Sequence, residues 1–394
     1  MKNVLFVVDE RCMGGVSVLL MDMFKMMDTS KMDIDLLVLH DRGDMFNELP
    51  SNVHLMFGDS YFSAIDLTLK EVIKSKNIKT LYHKLKVIID LKTGLIKKRI
   101  VKERKKLLKK HYDYEIAFKD GFTAIFTAYG DSNVKYHWIQ YNYGIANPNS
   151  KYDKLFNDAL RRFDKIISVS DGIMRDFNNI YHLEDKVEVI DNLIDTKRIK
   201  EKAKEKCDLE LDKNKLNIIC VGRIANGHKG YDRLVDVVKR LDDEGLFDGA
   251  VLRIFGSGPD YDVLFKQIQD YGLDKKVLLM GRVNNPYKYF KNQDLFILPS
   301  RYEAFGLVIV EALSLGVPVL VTKNDATGKI VDNDNNGLIV DNSDEGLYDG
   351  LKYLIDNRDV LDRYKTNLKD YDYDNDSIVK KLNGLFKWEA LWKR

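Results

Sequence analysis

The chain repeats one local pattern along most of its length, in which a short apolar run is followed by a loop and an amphipathic segment. The first copy is the run at 3–8, a loop that ends in Gly14 and Gly15, and a segment where Leu19 and Met23 share one helical face. Such apolar runs predict buried strands, and the later spacing predicts a helix. Strands that alternate with helices predict a mainly parallel sheet with helices on both faces.

The pattern occurs in two series separated by a polar stretch. Strands are predicted at 3–8, 34–39, 53–56, 114–118, 136–140, 165–169 and 187–190, and again at 216–221, 250–255, 277–280, 295–298 and 318–321. Residues 191–215 are rich in Lys, Glu and Asp and are predicted to link the two series. Helix is predicted over 67–110, with a break near Gly94, and over 343–392, with Trp388 and Trp392 on the last turns. Two Rossmann-like domains facing a central cleft are therefore expected, with ligands at the carboxyl ends of the strands.

Composition excludes several classes of protein. The 63 Lys and Arg against 61 Asp and Glu give a net charge of +2, without the excess typical of nucleic-acid binding. Cys12, Cys207 and Cys220 lie far apart, which excludes a disulfide framework and a Cys-x-x-Cys zinc site. The first apolar run is too short for a signal peptide, and no run of about 18 apolar residues exists. A cytoplasmic location is expected.

A basic block breaks this balance, because residues 70–110 contain 16 Lys and Arg against three acidic residues. Nine of the cations crowd one predicted helix: Lys97, Lys98, Arg99, Lys102, Arg104, Lys105, Lys106, Lys109 and Lys110. Three interpretations remain open, namely an anionic membrane or acceptor surface, a solvated helix face, and a nucleic-acid surface. We favour the membrane, where a lipid-linked acceptor would be presented, and expect no nucleic-acid partner because aromatic residues are not interleaved.

Two loops that follow predicted strands contain candidate binding residues. The loop after 216–221 is glycine-rich and holds Arg223 and Lys229, six residues apart, ahead of a helix. Such a loop can present backbone N–H groups and two cations to a diphosphate. The loop after 295–298 holds Glu303, and Glu311 follows eight positions later among apolar residues of a helix. A carboxylate in that setting needs partners, and ribose hydroxyls would supply them.

These motifs together resemble the retaining glycosyltransferases of the large family four, which have the GT-B fold. The resemblance rests on Gly14-Gly15, on Gly222-Arg223 to Lys229-Gly230, on 256–259, and on the run from Ser300 through Glu303 and Glu311 to 316–319. It is specific over 216–342 and thinner before that, where 114–144 looks like bacterial capsule or wall polysaccharide transferases. It implies an N-terminal acceptor domain over 1–195, a C-terminal nucleotide-sugar domain over 196–375, and a C-terminal helix, 376–394, that returns to the first domain.

The resemblance also implies roles for individual residues. Arg223 and Lys229 would hold the diphosphate, Glu311 the ribose, and Glu303 the sugar. Further donor contacts would come from the base-flanking pair Arg282 and Val283, from the helix start at Ala304, Phe305, Gly306 and Leu307, and from Gly14 and Gly15 of the other domain. One position departs from the family, because Gln140 stands where many members have a histidine. Strand alternation sends His137 and Gln140 to opposite faces, and we favour Gln140 as the site residue.

The predicted activity is therefore retaining transfer of a hexose from a nucleotide sugar, UDP-linked by preference, to a hydroxyl of a cell-surface glycan precursor that can be lipid-linked. The protein is expected at the inner face of the cell membrane. No essential metal or other cofactor is expected, since the histidines lack metal-ligand spacing and the Asp-x-Asp runs at 33–35 and 372–376 do not follow a nucleotide-site strand. The alternatives are a sugar-nucleotide epimerase of the same architecture and a non-catalytic membrane-docking module of a glycan assembly complex. A nicotinamide dehydrogenase is disfavoured because no G-x-G-x-x-G follows the first strand.

Overall fold

A computed structural model describes residues 1–11, 14–43, 45–46, 49–65, 67–140, 143 and 153–386. The chain divides into two compact units. The first unit is Met1–Leu193 together with the C-terminal segment from Asp376, and the second unit is Ile194–Asn375.

The first unit is built on a parallel sheet. Its strands are β1 (Lys2–Glu10), β2 (Met32–His40), β3 (Val53–Phe57), β4 (Tyr114–Ala117), β5 (Val134–Ile139), β6 (Lys165–Ser168) and β7 (Val187–Val189). Its helices up to this point are α1 (Gly15–Met26), α2 (Ser60–Ile65), α3 (Leu69–Lys74), α4 (Ile78–Lys92), α5 (Ile96–Leu107), α6 (Phe122–Ala128), α7 (Asp153–Leu160) and α8 (Asp171–Tyr181). The strand order is β3-β2-β1-β4-β5-β6-β7. The middle of β1 and almost all of β2 are buried, because helices cover both faces of a parallel sheet.

The second unit repeats this architecture. Its elements are α9 (Thr196–Lys202), β8 (Leu216–Val221), α10 (Asn226–Lys229), α11 (Tyr231–Asp243), β9 (Ala250–Phe255), α12 (Tyr261–Asp270), β10 (Val277–Gly281), β11 (Leu295–Leu298), α13 (Leu307–Ser314), β12 (Val319–Thr322), α14 (Thr327–Ile330), β13 (Gly337–Val340), α15 (Asp344–Asp356) and α16 (Arg358–Asn367). Short 3-10 turns lie at Tyr287–Tyr289 and Leu368–Asp370. The strand order is β10-β9-β8-β11-β12-β13, and all its pairs are parallel.

Each sheet reverses its strand order beside its first strand. The reversal falls between β1 and β4 in the first unit and between β8 and β11 in the second. The loops that follow these strands diverge at the carboxyl edge of the sheet and leave a crevice, which is where open α/β sheets bind ligands. The fold thus makes four loops the candidates for chemistry, two in each unit.

The last described helix, α17 (Asn375–Leu385), packs on the first unit. The Tyr136 hydroxyl on β5 donates a hydrogen bond of 2.8 Å to the Leu385 carbonyl. The Phe386 ring lies edge-on to Tyr114 of β4, with ring centroids 5.3 Å apart. Trp388 and Trp392 lie outside the described residues.

The expectation of two parallel α/β units is confirmed, while three local features differ from the predictions. The predicted break near Gly94 is present between α4 and α5, but a second break makes residues 67–110 three helices, because Asn77 caps the start of α4 by accepting from the Thr80 N–H. The predicted linker 191–215 contains α9, which packs in the second unit. Strand β13 was not predicted, because its four residues follow a polar turn at 332–336. Among the described helices, none is both long and apolar enough to span a bilayer.

Candidate functional site

The loops after β8 and β11 meet through an ion pair at the reversal point of the second sheet. Lys229, the last residue of α10, places its Nζ 2.6 Å from Glu303 Oε2. The buried Ser300 hydroxyl donates to the same oxygen at 3.2 Å. Lys229 and Glu303, predicted from separate motifs, are thus brought together.

Arg301 fixes α10 to the β11 loop. Its backbone N–H donates to the His228 carbonyl at 2.7 Å, and its guanidinium donates to the Asn226 carbonyl at 2.6 Å. The same guanidinium binds both carboxylate oxygens of Asp232, at 2.6 and 3.0 Å. A bidentate pair of this kind fixes direction as well as distance. The position of Lys229 therefore depends on a neighbouring Arg–Asp pair.

Gly230 lets the two loops approach closely. Its φ is +65°, and a Cβ atom there would overlap the Pro299 carbonyl oxygen. That oxygen accepts two hydrogen bonds from the buried Arg233, at 3.0 and 2.7 Å. The glycine after Lys229 is thus required by backbone conformation and by space.

A second glycine explains the motif at 256–258. Gly256 has φ +153°, and a Cβ atom there would overlap the Gly222 carbonyl. The Ile224 N–H also donates to the Ser257 carbonyl at 3.0 Å. The loop after β9 therefore packs directly on the start of the loop that carries Arg223.

Arg223 is exposed, and its side chain has no partner in the described part of the chain. Arg282 and Val283 follow β10 directly, on the far side of β9 from β8. Arg282 is exposed but engaged in an interaction. Arg223 is thus a cation that is free to meet an anionic ligand.

The start of α13 is open. Its N-cap, Gly306, has φ +89° and supplies no side-chain hydrogen bond, and the first turn carries no acidic residue. The Ile309 N–H donates to the Gly306 carbonyl at 2.8 Å, so the N–H groups of Leu307 and Val308 are the ones that present partial positive charge at this end of the helix. Phe305 beside it is buried, whereas Ala304 and Leu307 are half-buried.

Glu311 lies just over one turn into α13, where it is half-buried. Its Oε1 accepts a hydrogen bond of 3.2 Å from the Tyr287 hydroxyl. Burial, followed by the Glu311 charge, raises the pKa of Tyr287 well above its ordinary value. Tyr287 is therefore a neutral donor that orients the carboxylate, a partner that spacing along the sequence did not reveal.

The reversal point of the first sheet holds a small cavity of about 140 Å³. It is lined by Val8, Asp9, Glu10, Gly14, Gly15, Val16, Ser17 and Lys119. Lys119 Nζ lies 2.6 Å from Asp9 Oδ2 and so joins the loop after β4 to the end of β1. A Cβ atom on Gly14 would meet nothing within 4 Å, which leaves open space above the predicted Gly14–Gly15 loop.

Asp120, which follows β4, contacts residues in and just after β5. Its Oδ2 accepts from the Gln140 N–H at 3.3 Å, and its Oδ1 accepts from the Tyr143 hydroxyl. His137 Nε2 lies 3.2 Å from Oδ1, a contact that falls short of hydrogen-bond geometry. The His137 ring is buried and stacked on Phe163, with centroids 5.2 Å apart.

Gln140, by contrast, follows the last residue of β5 and is half-buried. Its side-chain amide donates to the Phe118 carbonyl at 3.4 Å. His137 is thus a buried residue of β5, whereas Gln140 lies just after the strand, at the carboxyl edge of the sheet. Asp120 was missed because a single Asp in a loop has no distinctive spacing.

The basic block is only partly a surface. The assignment of Arg104 to a membrane surface is wrong, because its side chain is 4% exposed and pairs with the buried Glu115 at 2.6 Å. Four other cations pair with carboxylates: Lys97 with Asp158, Arg99 with Asp90, Lys106 with Glu103, and Lys110 with Asp33 and Asp35. Lys98, Lys102, Lys105 and Lys109 are exposed, and no ion pair involves them in the described ranges.

The pairing of Asp33 and Asp35 with Lys110 also gives one Asp-x-Asp run a structural role in the first sheet. Asp35 further accepts a hydrogen bond of 2.5 Å from the Tyr112 hydroxyl. Over the ranges that the structure covers, no group of three or more His, Cys, Asp or Glu residues is arranged to hold a metal ion.

Comparison with known families agrees with this geometry. The family described as "Glycosyl transferases group 1" matches residues 201–371, which include the loops after β8 and β11. The whole of this match lies within the second unit. The group 1 match contains Arg223, Lys229, Glu303 and Glu311, so the expected resemblance is confirmed.

Curated relatives of this chain include bacterial glycosyltransferases. The N-acetylgalactosamine-N,N'-diacetylbacillosaminyl-diphospho-undecaprenol 4-alpha-N-acetylgalactosaminyltransferase of Campylobacter jejuni is 31% identical over 227 residues, 57% of this chain and 60% of that protein. The lipopolysaccharide core biosynthesis mannosyltransferase LpsB of Rhizobium meliloti is 32% identical over 178 residues, 44% of this chain and 49% of that protein. The chain thus spans about half to three-fifths of the length of these relatives.

Solved structures share the fold over nearly the whole chain. Anabaena HepE in complex with UDP and glucose superposes with a TM-score of 0.72 at 16% identity, covering 98% of this chain and 99% of that one. A TarM variant from S. aureus in complex with Fondaparinux, alpha-GlcNAc-glycerol and UDP gives 0.70 at 16% identity, with coverage of 98% and 100%. The expected GT-B architecture is confirmed.

Proposed function

We propose that this chain is a retaining glycosyltransferase that moves a hexose from a UDP-sugar to a hydroxyl of a cell-surface glycan precursor. The observation that carries the proposal is the meeting of Lys229 and Glu303 at the reversal point of the second sheet, beside the open start of α13. A donor with a diphosphate and a hydroxylated sugar matches this combination of cation, carboxylate and free N–H groups.

In this proposal each group has one task at the donor. Arg223 and Lys229 bind the diphosphate, the first through its planar guanidinium and the second as a point charge. Glu303 and the first N–H groups of α13 bind sugar hydroxyls. Glu311, oriented by Tyr287, accepts hydrogen bonds from the ribose. Arg282 and Val283 flank the base, and Gly14 and Gly15 leave space for the phosphates.

The reaction breaks the bond from the anomeric carbon to the diphosphate oxygen and forms a bond from that carbon to the acceptor oxygen. The acceptor proton passes to the departing diphosphate, which leaves from the face that the acceptor attacks. Arg223, Lys229 and the α13 N–H groups stabilise the charge that develops on the diphosphate. No carboxylate nucleophile is needed, and Glu303 is engaged by Lys229 and Ser300 instead.

The acceptor proposal draws on the relatives. The name of the Campylobacter jejuni relative specifies a diphospho-undecaprenol-linked acceptor and an alpha product. An acceptor on a lipid carrier would place this chain at the inner face of the cell membrane. An alpha product is also what retention gives from an alpha-linked nucleotide sugar. Gln140, at the end of β5, would contact the donor sugar from the first unit.

The activity is proposed to need no metal, because Arg223 and Lys229 supply the positive charge. A test incubates the full chain with UDP- and GDP-hexoses and a short polyprenyl-diphosphate-linked sugar, with and without EDTA. NMR of the product then gives the anomeric configuration. An alpha product formed equally with EDTA supports the proposal, whereas a beta product or full loss with EDTA contradicts retention or metal independence.

A further inference from the structure

Helix α4 carries a row of apolar side chains on its outer surface. Ile78, Tyr82, Leu85 and Ile89 are 83%, 61%, 48% and 58% exposed. Their spacing of four, three and four residues places them on one side of the helix. Scattered apolar residues are normal on a surface, but a row of four along one helix marks a contact site.

The opposite side of α4 already packs in the first unit, so the exposed row is not the side of the helix that faces the core. Val87 is buried, and Lys84 is buried with its Nζ donating to the Ile65 carbonyl at 2.8 Å. Asp90 is also buried and pairs with Arg99 at 3.0 Å. The exposed row therefore lies on the side of α4 that the fold leaves uncovered.

Helix α5 and the residues just after it carry a matching row of lysines. Lys98, Lys102, Lys105 and Lys109 follow the same spacing of four, three and four residues, and all four are exposed. The three lysines within α5 lie on the side opposite Ile96 and Ile100, which are buried, and Lys109 follows the end of the helix. These are the same four lysines for which the described residues offer no ion pair.

The two helices run side by side in opposite directions. Asp90 near the end of α4 contacts Arg99 near the start of α5, and Lys86 lies 3.9 Å from Glu103 one turn away on both helices. Each row lies opposite the buried side of its own helix. The apolar row and the lysine row therefore face outward on the same side of the helix pair.

We propose that these two rows, the docking face, bind an anionic lipid bilayer. The apolar row of α4 would enter the boundary between headgroups and acyl chains, while the lysine row meets lipid phosphates. The assignment rests on the proposed function, because a lipid-linked acceptor lies in such a surface. It also revises the sequence prediction, since the apolar part comes from α4 and only four of the nine cations take part.

Charge favours a bilayer over a second copy of the chain. Within the described part of 67–110, Asp90 and Glu103 are buried, which leaves Glu71 as the exposed carboxylate. Two copies joined symmetrically through this face would bring lysine rows together, and like charges repel. An anionic bilayer offers an apolar environment to the row on α4 and lipid phosphates to the lysine row.

The test is co-sedimentation of the full chain with phosphatidylglycerol or phosphatidylcholine vesicles at 0.1 and 0.5 M salt. The apolar variant is Ile78→Ser, Leu85→Ser and Ile89→Ser, and the lysine variant carries Gln at 98, 102, 105 and 109. Matched controls on the second unit are Val263→Ser with Phe265→Ser, and Lys266→Gln with Lys275→Gln, all at exposed positions. Nucleotide release from a UDP-sugar without vesicles is measured in parallel.

We expect binding to phosphatidylglycerol that weakens with salt and falls about tenfold or more in both variants but not in the controls. The lysine variant loses most of the salt dependence. Undiminished binding of both variants, no binding by the unsubstituted chain, or a dimer that the apolar variant abolishes would each overturn the inference. Nucleotide release separates this inference from the proposed function: an unsubstituted chain that releases nucleotide but does not bind phosphatidylglycerol vesicles refutes the docking face and leaves the transferase proposal standing.

Discussion

Lys229 Nζ and Glu303 Oε2 lie 2.6 Å apart and join loops that follow two different strands, β8 and β11. Both strands end at the reversal point of their sheet, so the pair occupies the position where such folds bind ligands. In this state Glu303 neutralises the cation that a diphosphate would need. We therefore expect the donor to displace Glu303 from Lys229 and to free it for the sugar.

Substitution of the two partners should have opposite effects on nucleotide binding. Lys229→Ala should weaken UDP binding about tenfold or more, because a charge-assisted contact is lost. Glu303→Gln should keep or tighten UDP binding, because Lys229 is no longer neutralised. Both should lower kcat for transfer by about 100-fold or more. Calorimetry with UDP and initial rates check this, and equal weakening of UDP binding in both variants would contradict it.

Arg223 should act on the donor without supporting the fold. Its side chain is exposed and unpaired in the described chain, so Arg223→Ala should leave the melting temperature unchanged. The donor KM should rise about tenfold or more, and Arg223→Lys should recover only part of the loss because the planar fork is absent. Lys266→Ala, an exposed lysine on α12, is the control. A wild-type KM in Arg223→Ala would remove this residue from the site.

Gly230→Ala should damage stability and activity together. The φ of +65° alone costs a residue with a Cβ atom about 1–2 kcal/mol, and the overlap with the Pro299 carbonyl adds to that. Because Lys229 precedes Gly230, the strain should also displace its ammonium group. Gly227→Ala is the matched control, since a Cβ atom there meets nothing within 4 Å. Urea unfolding and transfer rates should separate the two variants, and similar behaviour would contradict the role of Gly230.

Arg104 should behave as a core residue rather than as a membrane contact. Arg104→Met leaves Glu115 buried without its partner, which should cost about 3–5 kcal/mol, whereas Lys105→Met should cost little. Burial raises the pKa of Glu115 despite Arg104, so its native carboxyl binds a proton more tightly than its unfolded one. The stability contribution of this group is therefore lost as pH rises through the raised pKa, and more so in Arg104→Met.

Urea unfolding at pH 5 and pH 8 measures both effects. The double variant Arg104→Met with Glu115→Leu should recover much of the stability, because no buried charge remains. Wild-type stability in Arg104→Met at both pH values would show that the pair contributes little.

Strand periodicity predicted nearly every strand, because buried parallel strands are continuous apolar runs. It missed β13, where Gly337 to Val340 is short and half-exposed. Helix periodicity identified apolar and basic faces within 67–110 but could not tell which side of each helix faces the core. Leu85 and Ile89 are exposed, whereas Ile96 and Ile100 are buried, and only tertiary packing decides between them.

Motif spacing identified the residues that would touch a ligand, such as Lys229 and Glu303. It missed the residues that hold them, such as Arg301, Asp232 and Tyr287. Those partners come from other strands and helices, so their spacing along the chain carries no signal. The assignment of Arg104 to a membrane surface was wrong for the same reason, because its partner Glu115 lies on β4.

The most direct test of the central claim compares UDP with uridine. If Arg223 and Lys229 bind the diphosphate, the full chain should bind UDP about 100-fold more tightly than uridine, since two charge-assisted contacts contribute roughly 3 kcal/mol. The double variant Arg223→Ala with Lys229→Ala should bind both compounds with similar, weak affinity. If UDP still bound much more tightly than uridine in the double variant, or if the unsubstituted chain bound both equally, these loops would not be the ones that bind the diphosphate.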